Sequence, residues 1–374
     1  MTKRGKMSRI VPIRKEGFCM KKTGTITLSF TYVGCFLGAG FLSGQELWQF
    51  FGSFGVWGYP GFALATALFV FFGIVLMRLT QMTGYEELDR LMVPWDNLLW
   101  LRKLSGLIAS AFLLGVVVVM SAGVGALGNQ LFGIPAWLGS AVFTVIVCLI
   151  AMFGVTGMIN AFSALIPILV IATMLFAVGA WKNFDTGHIL HIQRTNENPL
   201  MPNWFIAALT FVAYNLMGSI GIMVPVGPLF TKKKTVLLGI AMSGVELLIV
   251  AGSVLTSVAT LPEASAAQLP MVAVGSKLAP FLGNCYGVLL FLGMFCNSLA
   301  SLVGLMTHMS QRIAVVRNHN KGVLLVMIAV IWACSLFGFA DIIGVVFPLF
   351  GYASIIFLVT MVIHFIQCKK KLKA

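Results

Sequence analysis

The sequence predicts an all-α integral membrane protein: ten transmembrane helices in two inverted repeats of five, with helices 1 and 6 broken. Three observations carry this reading. Apolar residues make up 59% of the 374-residue chain and charged residues only 10%, against roughly 25% charged in soluble domains. Ten apolar runs are long enough for spans of about 20 residues each. The first and sixth of these runs contain glycine-rich interruptions.

The spans read as 25–52, 58–80, 104–131, 136–155, 159–181, 204–229, 235–260, 279–309, 322–339 and 342–367. They form one transmembrane domain, 25–367, between a basic N-terminal tail, 1–24, and a basic C-terminal tail, 368–374. Spans one, three and eight are the longest, which suggests tilt or a break. The first span follows basic residues, as a secretory leader would. It is too long for one and has no clear small-residue cleavage site, so it reads as an uncleaved span. Met20 is a second candidate start. The main outer loop is 182–203, and a second outer segment, 261–278, contains Pro262 and Pro270.

Lys and Arg placement sets the orientation. With a cytoplasmic N-terminus, 22 of the 25 basic residues fall inside. Only Lys182, Arg194 and Lys277 fall outside. That asymmetry is a strong positive-inside signal and places both termini in the cytoplasm. It also explains the net charge of +14 as topology plus attraction to anionic headgroups of the inner leaflet, rather than nucleic-acid binding. The seven cysteines are scattered through apolar segments without CxxC or metal-ligand spacing, so they read as packing residues.

The first break is expected at Gly38-Ala39-Gly40, within the run Gly34-Cys35-Phe36-Leu37-Gly38-Ala39-Gly40-Phe41-Leu42-Ser43-Gly44-Gln45-Glu46. Freed backbone groups in hydrocarbon cost several kcal/mol, so a break survives where it is buried in protein or lines a cavity. The second break is expected at Asn215-Leu216-Met217-Gly218-Ser219-Ile220-Gly221, ahead of Pro225. Each half, 25–181 and 204–367, thus opens on a broken span, and five spans per half invert the second repeat. Matching interruptions of this kind point to a binding site near the midplane, as in secondary transporters.

The Gly34–Glu46 run resembles the YkvI-like family of bacterial membrane proteins, whose first span has a GAGF…SGQE pattern. Ten spans with breaks in the first and sixth resemble the LeuT-like fold of the amino-acid–polyamine–organocation superfamily. The short motif covers about a dozen residues; the fold-level resemblance covers nearly the whole chain. Fold similarity does not fix a substrate.

Candidate substrate-binding residues are Gly38, Ala39, Gly40, Tyr214, Asn215, Gly218, Ser219 and Asn297. The half-helix after Gly40 would direct free N–H groups and its positive dipole end into the cavity, which suits a carboxylate. The same glycines, as the GxxxG pairs Gly34/Gly38 and Gly40/Gly44, also suit close helix packing. Glu46 and Glu246 are the buried acids, expensive in a membrane and usually functional. Glu46 could carry a coupling proton, meet a substrate amine, belong to an outer gate or be structural. Glu246 fits a proton relay or a structural role equally well.

In span eight, Asn297, Ser301, Gly304 and His308 share one helical face. The resemblance to LeuT-like sodium transporters implies a sodium site: the Gly34 and Leu37 carbonyls with Ser298, and Asn297 or Ser301. Oxygen ligands suit a hard cation, though interhelical hydrogen bonding explains such residues as well. Tyr32 and Ser121 are weaker candidates, and His308 and His364 read as snorkelling near the inner ends. The sequence holds no nucleophile–base arrangement, phosphate loop or nucleic-acid motif, so no enzyme and no resident cofactor are expected. The resemblance implies a secondary transporter for a small organic solute, an amino acid or related amine, coupled to sodium or protons. The alternative is a transport-silent nutrient sensor of the same fold. Oligomeric state is not legible.

Overall fold

Helical segments occupy all ten expected span positions. The computed structural model describes residues 24–83, 91, 93, 95, 98–153, 158–227, 230, 232–312 and 320–371. The expected tails lie mostly outside these residues.

The first span is three helical pieces: α1 (Thr25–Gly34), α2 (Ala39–Leu42) and α3 (Gln45–Phe50). Two departures from helix separate them. At the first, the Gly38 N–H donates to the Phe36 carbonyl at 2.7 Å, whereas a continuous helix would give it to Gly34. The non-helical residues are therefore Cys35 to Gly38, and Ala39 and Gly40 already belong to α2. At the second, Gly44 adopts φ +85°, a left-handed conformation that glycine takes without steric cost. The Ser43 hydroxyl bonds the Gly40 carbonyl at 2.8 Å, so part of the freed backbone is satisfied inside the protein.

A short 3₁₀ turn, Gly52–Trp57, leads into α4 (Gly58–Thr83). Then follow α5 (Leu99–Phe132), α6 (Ala136–Phe153), α7 (Met158–Asn183), α8 (Trp204–Val226) and α9 (Lys233–Ala259). Two short outer helices, α10 (Pro262–Ser265) and α11 (Pro270–Leu278), precede α12 (Pro280–Arg312). The chain ends with α13 (Asn320–Ser335) and α14 (Phe339–Lys371). The start of the expected C-terminal tail is thus still helical. Among the described residues, five helices are long and apolar enough to cross a membrane: Gly52–Thr83, Leu99–Phe132, Lys233–Ala259, Pro280–Ser310 and Phe339–Lys370. Shorter apolar stretches lie in α6, α7, α8 and α13.

The sixth span differs from expectation. Backbone conformation is helical from Trp204 to Val226, with no interruption at 216–221. The polar and small residues there support the helix instead. Asn215 Nδ2 bonds the Phe211 carbonyl at 3.0 Å and Ser219 Oγ bonds the Leu216 carbonyl at 2.8 Å. A Cβ on Gly218 would stand 2.8 Å from Phe112 Cε1 of α5, so this glycine admits a neighbouring ring.

The packing places the broken span at the centre. Helix α5 runs along α12, α8 along α14, and α1 along α9, while α4 contacts both α8 and α9. Phe50, Phe51, Phe62, Phe69, Phe211 and Tyr214 form a continuous buried aromatic core. Large apolar side chains such as Leu107, Leu175, Val245 and Val326 point outward, as lipid-facing positions do. The outer segments close over the break: the Met271 N–H bonds the Ser43 carbonyl at 2.9 Å, and the Thr195 N–H bonds that of Ser53 at 2.8 Å.

Candidate functional site

Because the chain turns at Gly44, Glu46 does not extend the face of Gly38 and Leu42 as it would in a continuous helix. Its carboxylate folds back on the break instead. A Cβ on Gly40 would stand 2.8 Å from Glu46 Oε2. The other oxygen, Oε1, accepts a hydrogen bond from the Tyr214 hydroxyl of α8. The Asn215 side chain also bonds this carboxylate. Glu46 is 5% exposed and Tyr214 2%, so the pair is held away from solvent. The Tyr214 ring lies between Phe347 of α14, centroids 4.8 Å apart, and Phe50 of α3, at 5.6 Å.

The other face of the break meets α12. Asn297 Nδ2 lies 3.3 Å from where a Cβ on Gly38 would stand. On the same helix Ser298 is fully buried and Ser301 nearly so. The Ser298 hydroxyl has no hydrogen-bond partner among the described residues. Gly40, Glu46, Tyr214 and Asn215 therefore gather on one side of the break, with Gly38 and Asn297 on the other. Gly218 and Ser219 do not join them: Gly218 faces Phe112 and the Ser219 hydroxyl is spent on its own helix.

Glu246 lies elsewhere. Its Oε1 accepts a 2.8 Å bond from Ser29 Oγ of α1, on the N-terminal side of the break. Its Oε2 has no partner among the described residues. Two weaker candidates are structural ties: Tyr32 donates to the Phe69 carbonyl at 2.7 Å, and Ser121 Oγ lies 2.5 Å from Thr144 Oγ1. His364 does not snorkel; it is 5% exposed, with Nδ1 2.8 Å from the Leu91 carbonyl. His308 of α12 meets α5, its Nδ1 lying 2.7 Å from Ser110 Oγ.

Sequence reading missed Tyr286 and Gln49, and gave Gln45 no role beyond that of a polar partner beside Glu46. The Tyr286 hydroxyl donates to the Leu42 carbonyl at 2.7 Å and also meets Thr173 Oγ1 at 2.7 Å, tying the end of α2 to α12 and α7. Gln49 Nε2 donates to the Ala340 carbonyl at 2.7 Å. The side-chain oxygens of Gln45 and Gln49 are buried without partners among the described residues. The only signal for these residues was a polar tip inside an apolar span. Among the described residues, no group of three His, Cys, Asp or Glu side chains is placed to hold a metal ion.

No known family profile matches the chain. Over 350 residues it is 26% identical to YkvI, an uncharacterized membrane protein of Bacillus subtilis (strain 168), covering 92% of this chain and 95% of that protein. It is 27% identical over 346 residues to YyaD of the same organism, covering 91% and 96%. The chain is thus similar to both proteins over nearly its whole length. Among solved structures, MhsT in complex with L-phenylalanine matches this chain with a TM-score of 0.62 and 15% identity, covering 91% of this chain and 87% of MhsT. Mhp1 is a nucleobase-cation-symport-1 family transporter, solved in a closed conformation with bromovinylhydantoin bound. It matches with a TM-score of 0.54 and 15% identity, covering 89% and 75%. These matches establish the LeuT-like fold.

Proposed function

We propose that this protein is a secondary transporter of a small organic solute, an amino acid or related amine, driven by sodium or protons. The observation that carries the reading is the Glu46 carboxylate, folded onto Gly40 and bonded by Tyr214 at the interrupted first span of a transporter-type fold. Buried acids at such a break mark ion or substrate pathways. Gly38, Ala39, Gly40, Tyr214, Asn215 and Asn297 then form the substrate site, with Gly218 and Ser219 supporting α8 behind it. Glu46 is the coupling or substrate-contacting acid, and Glu246 a second acid acting through Ser29.

A coupling sodium ion fits the residues available. Ser298 supplies a buried, unpartnered hydroxyl, and Gly34 has lost its helical donor because Gly38 N–H turns to Phe36. Gly34, Leu37, Ser298 and Ser301 would hold the ion, whose chemistry there is electrostatic: oxygen ligands replace its hydration shell. We place the protein in the plasma membrane as one transmembrane domain, with both termini cytoplasmic and anionic lipid against the inner basic residues.

The experiment is uptake into proteoliposomes under an imposed sodium or proton gradient, across a panel of amino acids and amines. Gradient-dependent accumulation supports the proposal. Ligand binding without flux would instead favour a sensor. Labelling of Lys233→Cys by a membrane-impermeant thiol reagent from outside the cell would overturn the orientation.

A further inference from the structure

Resting on that reading of the site, we propose that the solute is an organic cation, a primary ammonium or guanidinium compound that brings no carboxylate of its own. Three observations lead there. The first is the position of Glu46. A solute carboxylate directed at the first break would meet Glu46 Oε2, which already stands beside Gly40. The chain supplies its own carboxyl group at the point where a free carboxylate would bind, and two ionised carboxylates in a water-poor site repel strongly.

The second is that this acid lacks a counter-cation. Its hydrogen-bond partners are the Tyr214 phenol and the Asn215 side chain. Among the described residues, no Lys, Arg or His forms an ion pair with it. A buried carboxylate without a cation is costly, and an incoming ammonium group would neutralise it where it lies.

The third is the balance of unused hydrogen-bonding groups around it. Three donors near Glu46 are engaged: Tyr214 on Glu46, Asn215 Nδ2 on Phe211, Gln49 Nε2 on Ala340. The unused groups include the side-chain oxygen of Gln45, which adjoins Glu46, and that of Gln49 one turn on, which faces Gly344 of α14. Gln45 is 5% exposed, so bulk water does not satisfy it. Acceptors without donors call for a donor-rich ligand.

The test uses the full-length purified protein and matched probes that share a skeleton and differ in charge. One set is phenethylamine, phenylalanine and 3-phenylpropanoate; a second is butylamine, 2-aminopentanoate and pentanoate; agmatine supplies a guanidinium. Binding is measured by calorimetry and thermal shift. The expected result is that amines or agmatine bind at least tenfold more tightly than the zwitterions, and that the carboxylates do not bind. Glu46→Gln should weaken amine binding at least tenfold. Gln45→Met, which keeps side-chain length, should weaken it severalfold, and serves if Glu46→Gln does not fold. Tighter binding of a zwitterion, binding of a carboxylate alone, silence of every amine, or unchanged amine affinity in both variants would overturn the proposal. Uptake separates it from the function above: accumulation of a zwitterion but no amine leaves a transporter with a different substrate. Tight amine binding without flux leaves the ligand class intact and removes transport.

Discussion

The Tyr214 hydroxyl donates to Glu46 across 168 positions of sequence, and this bond joins the broken first span to the continuous α8. The two residues come from opposite halves of the chain. Any movement of one half against the other must lengthen the bond or carry the pair along, so a ligand that engages Glu46 acts on the contact between the halves.

Replacing Glu46 with Gln tests the charge without changing the shape. The amide keeps the size of the side chain and can still accept from Tyr214, but it cannot ionise. Removing one partner of a buried charge pair costs about 3 kcal/mol or more, roughly a hundredfold in affinity. Calorimetry with a ligand amine should show a weakening of that order. Proton-driven uptake should be lost as well if Glu46 also carries the coupling proton, while exchange of solute across the membrane persists.

Tyr214→Phe keeps the ring and its contacts with Phe347 and Phe50 but deletes the donor. Glu46 Oε1 then loses its phenol partner in a site closed to solvent. A buried acceptor left short of a partner costs about 1–3 kcal/mol. Melting of the ligand-free protein should fall accordingly, and added amine should restore part of the loss. An unchanged melting temperature would mean that the hydrogen bond adds nothing to the folded state.

Much of this arrangement was legible in the sequence, because span length and apolarity are dictated by the bilayer. Helices lie where the apolar runs do, within a few residues at most ends. That span one is broken was also legible, from its four glycines and its acid, but the second turn, at Gly44 with φ +85°, was not. Nor were the bounds of the first: Ala39 and Gly40 are helical, and the irregular residues are Cys35 to Gly38. The second break was misread for a physical reason. Glycine and asparagine weaken an isolated helix, but Asn215 and Ser219 bond back to carbonyls of their own helix, and Gly218 lets the Phe112 ring approach. The same residue types therefore serve packing in one span and interruption in the other. The Glu46–Tyr214 pair was out of reach, because no local pattern states which residues of two distant spans will touch.

Gly40 should tolerate no side chain without loss of function. Its Cβ would lie 2.8 Å from Glu46 Oε2, inside van der Waals contact, so a larger residue must displace the carboxylate. Gly40→Leu should abolish ligand binding while the protein still folds, with a smaller fractional change in melting temperature than in affinity. Gly38→Ala meets only Asn297 Nδ2, at 3.3 Å, and should be the milder change. Normal ligand affinity in Gly40→Leu would remove the break from the binding site.

Ser298 separates sodium from proton coupling. Its hydroxyl is fully buried and has no partner among the described residues, an arrangement that costs about 1–3 kcal/mol unless something occupies it. Removing the hydroxyl should therefore be close to neutral when no ion is bound: Ser298→Ala should melt at or slightly above the wild type in potassium. In sodium the order should reverse. An ion at ten times its Kd stabilises the folded state by about 1.4 kcal/mol, and the alanine variant forfeits most of that gain. The measurement is a thermal-shift titration of both proteins with sodium, with potassium as the control, followed by uptake under a sodium gradient. If wild type and Ser298→Ala respond to sodium identically, α12 does not bind the coupling ion through this residue. If neither responds and uptake follows a proton gradient, the driving ion is the proton and Glu46 or Glu246 carries it.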